Sequence, residues 1–170
     1  QFPQLPQASL LDKSLNQAEE ILGNCDGLGI RLITLQDAQY PDRLRNLSDP
    51  PLLLYVKGKV FPFDEEVSIG LVGARAATPY GTSIAGRLGL ELARSGALLV
   101  SGIAQGIDAA GLRGALKGGG PVVSVLAGGI DVVYPRENRR LYQDVAAAGA
   151  LISEYPPGTL HKGPHFPRRN

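Results

Sequence analysis

The second part of the chain alternates short apolar runs with longer stretches in which apolar residues recur at helical spacing. Each run is short and is bounded by glycine or polar residues, so we interpret the runs as buried strands. Buried strands that alternate with helices are typical of a parallel sheet in an α/β protein. The four predicted strands are 68–72, 97–100, 122–126 and 150–153.

The stretches between these runs carry helix signals. Thr78-Pro79 combines a helix N-cap with a proline at the first helical position. Ile84, Leu88 and Leu92 then recur at i, i+4 and i+8, which is the stripe of a helix that faces a sheet. Crossover connections of this length are right-handed. The further predicted helices are 108–117 and 136–148, the second closed by Gly149.

The first part of the chain is predicted to form a small accessory segment. Residues 1–12 are rich in Gln and Pro and are expected to be extended. We place the boundary so that 1–62 form the accessory segment and 63–170 form an α/β domain, an extended Rossmann-like parallel sheet with helices on both faces. The expected accessory elements are a helix over 13–24, a strand over 30–35, a helical turn over 40–45 and a strand over 52–56.

Composition narrows the class of protein. Hydrophobic residues make up 44% of the 170 residues, and no apolar run is long enough to cross a bilayer. Cys25 is the single cysteine, which excludes an internal disulfide framework and favours a reducing cytoplasm. His161 and His165 have no histidine, cysteine or acidic partners at ligand spacing. We therefore expect a cytoplasmic protein with no membrane span, no metal and no cofactor.

Charge is unevenly distributed along the chain. The net charge is only +1, but residues 1–70 carry ten acidic and six basic side chains, whereas residues 71–170 carry six acidic and eleven basic ones. No acidic residue follows Glu154. We interpret the positive second part as a surface that faces a polyanion; the alternative is chance scatter over solvated faces.

Glycine-containing loops follow the predicted strands. Gly73, Gly102 and Gly106 lie where glycine would let a phosphate approach the backbone and where helix N-termini attract anions; the alternative is that they serve only tight turns. Asp108, at the start of a predicted helix, either caps that helix or contacts the ligand. The first loop, Gly70 to Arg75, has G-x-x-G where a dinucleotide site needs G-x-G-x-x-G, and no P-loop motif occurs. These loops therefore predict a phosphate-binding crevice that is neither a dinucleotide site nor a P-loop.

Cations are expected to converge on this crevice. In the strand order 3-2-1-4, which we expect, the first and fourth strands are neighbours. Arg75 follows the first strand, and Lys162, Arg168 and Arg169 follow the fourth. Phe166 lies among the last three, and the bases of a single strand stack on such rings while cations hold the phosphates. The alternative is that Phe166 anchors the tail to the core.

Several stretches, in this order along the chain, carry a family resemblance. They are Tyr40-Pro41 with Leu44 and Pro50-Pro51, Val72-Gly73-Ala74-Arg75 with Pro79-Tyr80-Gly81, 101–108, 113–116, 131–135 with Asn138, 153–158, and Phe166-Pro167-Arg168-Arg169-Asn170. On these stretches the chain closely resembles the DNA-processing protein A (DprA, also called Smf) family, from about Leu32 to Asn170. The resemblance implies an extended Rossmann-like domain that binds single-stranded DNA in natural transformation, helps load the RecA recombinase, generally forms a homodimer and has no established catalytic reaction.

The resemblance also implies where DNA binds. The chain departs from the family at Gly111-Leu112, where members often have Ala-His. Members also continue well past Arg-Asn, so we expect the chain to be either a fragment of a longer protein or an incompletely ordered domain. By resemblance the DNA pocket comprises Gly73, Arg75, Lys162, Phe166 and Arg169, and the loop pattern adds Gly102, Gly106 and Arg168.

Two other function classes stay open. Related Rossmann-like proteins of the LOG group hydrolyse nucleoside monophosphates and carry the signature P-G-G-x-G-T-x-x-E. The corresponding loop here, Ala127 to Val132, lacks that glutamate, and no nucleophile–base pair is recognisable elsewhere. We therefore predict a binding protein rather than an enzyme. A sensor of small nucleotides is the other alternative.

Overall fold

One six-stranded sheet organises the molecule, which a computed structural model describes over residues 15–60 and 62–170. The strands are β1 (Arg31–Thr34), β2 (Leu53–Gly58), β3 (Ser68–Gly70), β4 (Leu98–Ser101), β5 (Val122–Leu126) and β6 (Ala150–Ser153). Their order is β1-β2-β6-β5-β4-β3. β3 to β6 are parallel, and β2 and β1 continue the sheet antiparallel beside β6. The predicted α/β class is confirmed, and the sheet is mixed.

Of the six helices in residues 15–60 and 62–170, five lie on predicted helical segments and the last, in the basic tail, was not predicted. The helices are α1 (Asn16–Leu28), α2 (Asp42–Arg45), α3 (Pro79–Arg94), α4 (Ile107–Gly118), α5 (Arg139–Ala148) and α6 (His165–Arg169), with a 3₁₀ turn at Arg136–Asn138. Thr78 caps α3, because its hydroxyl oxygen accepts a bond from the Gly81 amide at 3.1 Å.

The first helix ends later than the sequence predicts. α1 continues beyond Gly23-Asn24 and ends at Gly29, which has the left-handed φ of 64°. The extension places Cys25 and Leu28 against the sheet, and this burial outweighs the modest helix propensity of glycine and asparagine. The extended conformation predicted for residues 1–12 lies outside the described residues.

The predicted strand order 3-2-1-4 is wrong. The four parallel strands lie in chain order, so β3 is an edge strand and β6 is three positions away. Each right-handed crossover therefore leads to the next strand on the same side, from β3 through β4 and β5 to β6. The position next to β6 on the other side is taken by β2, which pairs with it from Tyr55↔Ser153 to Gly58↔Ala150.

Both faces of the sheet are covered, and its residues alternate between two cores. One face packs against α1, α3, α4 and α5, with Leu99 and Val122 among its buried residues. The other face packs against α2 and the neighbouring residues, where Tyr40 and Leu44 belong to the same apolar cluster as Leu98. Helices thus lie on both faces, but the second has only a short one. Because β1 and β2 join the same sheet, the accessory segment extends it; the boundary near residue 62 stays a prediction.

α3 and α4 approach each other backbone to backbone. A Cβ atom on Gly89 would overlap the Gly111 carbonyl, and one on Gly114 would overlap the Gly86 carbonyl. Only glycine fits at such a crossing, so the small residues of these helices are explained by packing. None of the helices in the described ranges has the length and apolar character required to cross a membrane.

Candidate functional site

The candidate site lies at the carboxyl ends of the four parallel strands. The chain leaves β6 at Ser153 and returns across this edge as a tail, residues 154–170, that ends in α6. His165 Nδ1 lies 3.0 Å from the Ala127 carbonyl oxygen, behind β5. Arg169 donates to the Val125 carbonyl at 2.9 Å. The tail therefore brings Arg169 across β5 to Gly102, which follows β4. A switch point between adjacent strands was expected to bring the cations together instead.

The tail also brings Phe166 into contact with Arg75, which follows β3. The Arg75 guanidinium carbon lies 4.6 Å from the centroid of the Phe166 ring, a cation–π distance. Arg75 is exposed and forms no ion pair with any residue in 15–60 or 62–170. Stacking holds one face of the guanidinium, and its N–H edge stays available for an anion. The sequence-predicted convergence of these two residues is thus present.

Phe166 also belongs to a cluster of rings. Tyr134 and His161 stack with centroids 5.1 Å apart, and Phe166 lies 5.9 Å from Tyr134 and 6.1 Å from His161. Tyr155 and His165 form a second stacked pair at 4.2 Å. Phe166 therefore anchors the tail, which was the alternative interpretation, and it also supports Arg75. That bases stack on this ring stays a prediction.

Arg169 is the second cation of the site and is half-buried. Besides the Val125 carbonyl, its guanidinium reaches the Asn170 side chain at 2.9 Å. Burial lowers the pKa of Arg169, the Asp108 carboxylate raises it and the Arg75 charge lowers it. Asp108 is only 3% exposed in the first turn of α4. The Arg169 charge is thus partly balanced by one buried carboxylate and opposed by the charge of Arg75.

The predicted glycines make close packing possible. A Cβ atom on Gly102 would overlap the Arg169 guanidinium, and one on Gly73 would lie 2.7 Å from the Ile107 side chain. Gly106 has a φ of +76°, and its Cβ atom would overlap the carbonyls of Ala74 and Arg75. These glycines position the two arginines, and the space next to their Cα atoms is occupied by protein atoms.

The two remaining predicted cations differ from each other. Arg168 Nε donates to Glu154 at 3.1 Å, and its Nη2 lies 3.8 Å from Asp49. The Glu154 carboxylate raises the pKa of Arg168. Arg168 thus ties the end of the tail to its first residue and to the accessory segment, and its role in DNA binding stays a prediction. Lys162 is exposed, in the turn before α6, and forms no ion pair with the described residues.

One supporting residue was given no role by the sequence analysis. Asn138 is 4% exposed; it donates to the Ile103 carbonyl at 2.9 Å and accepts from Arg113 at 3.0 Å. Ile103 has a φ of 57°, a left-handed conformation that is costly for a β-branched residue. Asn138 therefore holds the strained loop that contains Gly102. A contact between residues so distant in sequence has no local pattern, so only the family match pointed to this position.

The ring cluster leaves almost no interior space. The cavity between Phe166, Tyr134, Arg169 and the ends of β4 and β5 measures about 10 Å³. This volume accommodates at most one water molecule. Burial lowers the pKa of His161, and the neighbouring His165 and Arg169 charges lower it further. In the described ranges, no three His, Cys, Asp or Glu residues are grouped so that they could hold a metal ion.

Comparisons with known proteins all indicate the same protein family. The family model described as DNA recombination-mediator protein A matches residues 31–170. DNA processing protein DprA of Bacillus subtilis is 39% identical over 142 residues, which cover 84% of this chain and 48% of that protein. The chain thus spans about half the length of this relative.

Two solved structures are similar to this fold. DNA processing protein A of Streptococcus pneumoniae superposes with a TM-score of 0.77 at 33% identity, over 82% of this chain and 49% of that one. DNA processing protein A of Helicobacter pylori, which binds single-stranded DNA, gives 0.72 at 30% identity, over 82% and 62%. By its sequence and its fold, the chain belongs to the DNA recombination-mediator protein A (DprA/Smf) family.

Proposed function

We propose that this chain binds single-stranded DNA at the edge of the sheet where Arg75 stacks on Phe166. The observation that carries the proposal is the 4.6 Å contact between the exposed Arg75 guanidinium and the Phe166 ring, with Arg169 beside them. A guanidinium held on one face offers its N–H edge to phosphate oxygens. Related DNA processing protein A from Helicobacter pylori binds single-stranded DNA.

Exposed aromatic rings support the preference for a single strand. Tyr80, in the first turn of α3, is 77% exposed, and Tyr134 beside Phe166 is 45% exposed. Unpaired bases can stack on such rings, whereas a blunt duplex presents its bases already stacked. We propose that phosphates contact Arg75, Arg169 and Lys162 while bases pack on these rings.

The carboxylates near this edge favour binding over catalysis. Asp131 accepts two bonds from the Gly158 amide, at 2.8 and 3.0 Å, and Glu154 is paired with Arg168. Hydrolysis of a glycosidic bond requires a free acid and a nucleophile or base. The cavity of about 10 Å³ behind the rings is too small for a mononucleotide, so an open surface for a strand fits better than a nucleotide sensor.

The wider role is proposed from the family. We propose that the DNA-bound protein acts in recombination by helping to load RecA and that it forms a homodimer. Co-precipitation of RecA with this chain, in the presence and absence of a single strand, tests the first statement. Sedimentation over a range of protein concentrations tests the second.

A salt titration of DNA binding tests the main proposal. Affinity for an oligo-dT strand should fall steeply with salt, with a slope of about −0.7 for each phosphate contact. Arg75→Ala should weaken the binding, and Arg94→Ala is the matched control, since Arg94 is exposed but pairs with Glu91 on α3. Equal or tighter binding of a blunt duplex would count against the proposal, as would an Arg75→Ala protein of unchanged affinity.

A further inference from the structure

A basic groove runs along the outer surface between α3 and α4. It has a volume of about 420 Å³, and its lining contains Arg87, Arg113 and Lys117 but no acidic residue. Gly86 and Gly114 form part of its floor, where the two helix backbones touch. The groove therefore has a floor of small residues and a rim of three cations.

The three cations of this groove are available to bind an anionic ligand. Arg87, Arg113 and Lys117 are all exposed, and within residues 15–60 and 62–170 none of them forms an ion pair. Glu91, one turn beyond Arg87, pairs with Arg94 at 3.4 Å. A row of cations that are not paired with carboxylates attracts a polyanion.

The groove begins at the proposed DNA site. Ile107, the first residue of α4, lies against Gly73 in the loop that carries Arg75 and against Gly81 in the first turn of α3. Arg113 also bonds to Asn138, which holds the loop after β4. Both helices start at the carboxyl edge of the sheet, so the groove leads away from Arg75 between them.

We infer that a single strand bound at Arg75 and Phe166 continues into this groove, where its phosphates contact Arg87, Arg113 and Lys117. From Ala110 to Lys117, α4 rises about 10 Å. At about 3.4 Å per nucleotide in a stacked strand, the groove accommodates roughly three nucleotides. Continuity with the site and the periodic cations favour a strand over an acidic peptide. The inference rests on the proposed single-strand binding.

Oligonucleotide length separates the groove from the primary site. The experiment measures the affinity of the 170-residue chain for dT strands of about 6 and about 20 nucleotides, a range that spans the site sizes of single-strand binding modules. The test variant is Arg87→Glu/Lys117→Glu, which leaves the Arg113–Asn138 bond intact. The control is Arg31→Glu/Arg140→Glu, which makes the same charge change at two exposed cations elsewhere.

The expected result depends on length. The groove variant should bind the long strand about tenfold more weakly and with a salt slope smaller by about 1.4, since two phosphate contacts are lost. Its affinity for the short strand should match that of the control. An equal loss on both strands, no loss on the long strand, or poly-glutamate binding without a length effect on DNA would overturn the inference. Wild-type protein that bound neither strand would refute the proposed function and this inference with it.

Discussion

The Arg75 guanidinium lies over the ring of Phe166, at 4.6 Å from its centroid, although the two residues follow strands at opposite ends of the parallel part of the sheet. The tail makes this contact by crossing β5 and β4 on its way back from β6. A cation–π contact of this kind contributes about 0.5–2 kcal/mol. The contact couples the conformation of the tail to the position of the exposed Arg75 side chain.

Gly102→Ala should disturb both stability and DNA binding. The added methyl group would overlap the Arg169 guanidinium, which must then leave the Val125 carbonyl. Because the guanidinium ends a flexible side chain that can move aside, we expect thermal unfolding to report a loss of about 0.5–1.5 kcal/mol, the net contribution of one hydrogen bond. Gly163→Ala is the control, because nothing lies within 4 Å of the position of its Cβ atom.

A second substitution tests whether the overlap with Arg169 causes the destabilisation by Gly102→Ala. Replacing Arg169 by alanine removes the overlapping group, so Gly102→Ala should cost much less stability in an Arg169→Ala background than in the wild type. If Gly102→Ala destabilises both backgrounds equally, the contact between Gly102 and Arg169 is not what requires glycine there.

Asn138→Ala should destabilise the loop after β4. The Ile103 carbonyl would lose its buried donor, a cost of about 1–3 kcal/mol for an unpaired buried group, and the exposed Arg113 would lose its acceptor. Urea unfolding measures this cost, with the exposed Asn24→Ala in α1 as control. A loss no larger than that of Asn24→Ala would show that the left-handed Ile103 needs no support from Asn138.

Acidification should weaken the fold through His161. Burial lowers the pKa of His161 in the folded state below that of the unfolded chain, about 6.5. The unfolded state then binds the proton first, so the stabilisation is present above about pH 6.5 and is lost as the pH falls through the folded-state pKa. Unfolding temperatures measured downward from neutral pH should decline more steeply for the wild type than for His161→Gln. Parallel profiles would mean that another group titrates.

The sequence predicts the parallel strands and the helices well, because local periodicity and capping specify them. Thr78 and the stripe after it mark α3, and the apolar runs mark β3 to β6. Strand order was predicted wrongly because the local sequence pattern of a strand does not determine which other strand pairs with it. The pairing of β2 with β6 occupies the side of β6 that a 3-2-1-4 order would give to the first strand.

The sequence analysis named residues that do meet at the candidate site, but it was wrong about how the fold brings them together. Arg75, Phe166 and Arg169 do meet, but the tail brings them together. Arg168 was grouped with the free cations, but it pairs with Glu154 at the start of the tail and lies near Asp49 in the accessory segment. Such ion pairs depend on tertiary structure, so composition and spacing could not distinguish Arg168 from Lys162.

The most direct test of the central claim is a double-mutant cycle on affinity for an oligo-dT strand at one fixed salt concentration. Arg75→Ala and Phe166→Ala should each weaken binding by about 1–3 kcal/mol, the scale of a charge-assisted phosphate contact and of a base–aromatic stack. Because the ring supports the guanidinium, the double variant should lose less than the sum of the two single losses. Thermal unfolding of the four proteins, with Phe166→Leu as a milder change, shows that each is folded. If all four folded proteins bound the strand with equal affinity, the Arg75–Phe166 contact would not be the DNA-binding site.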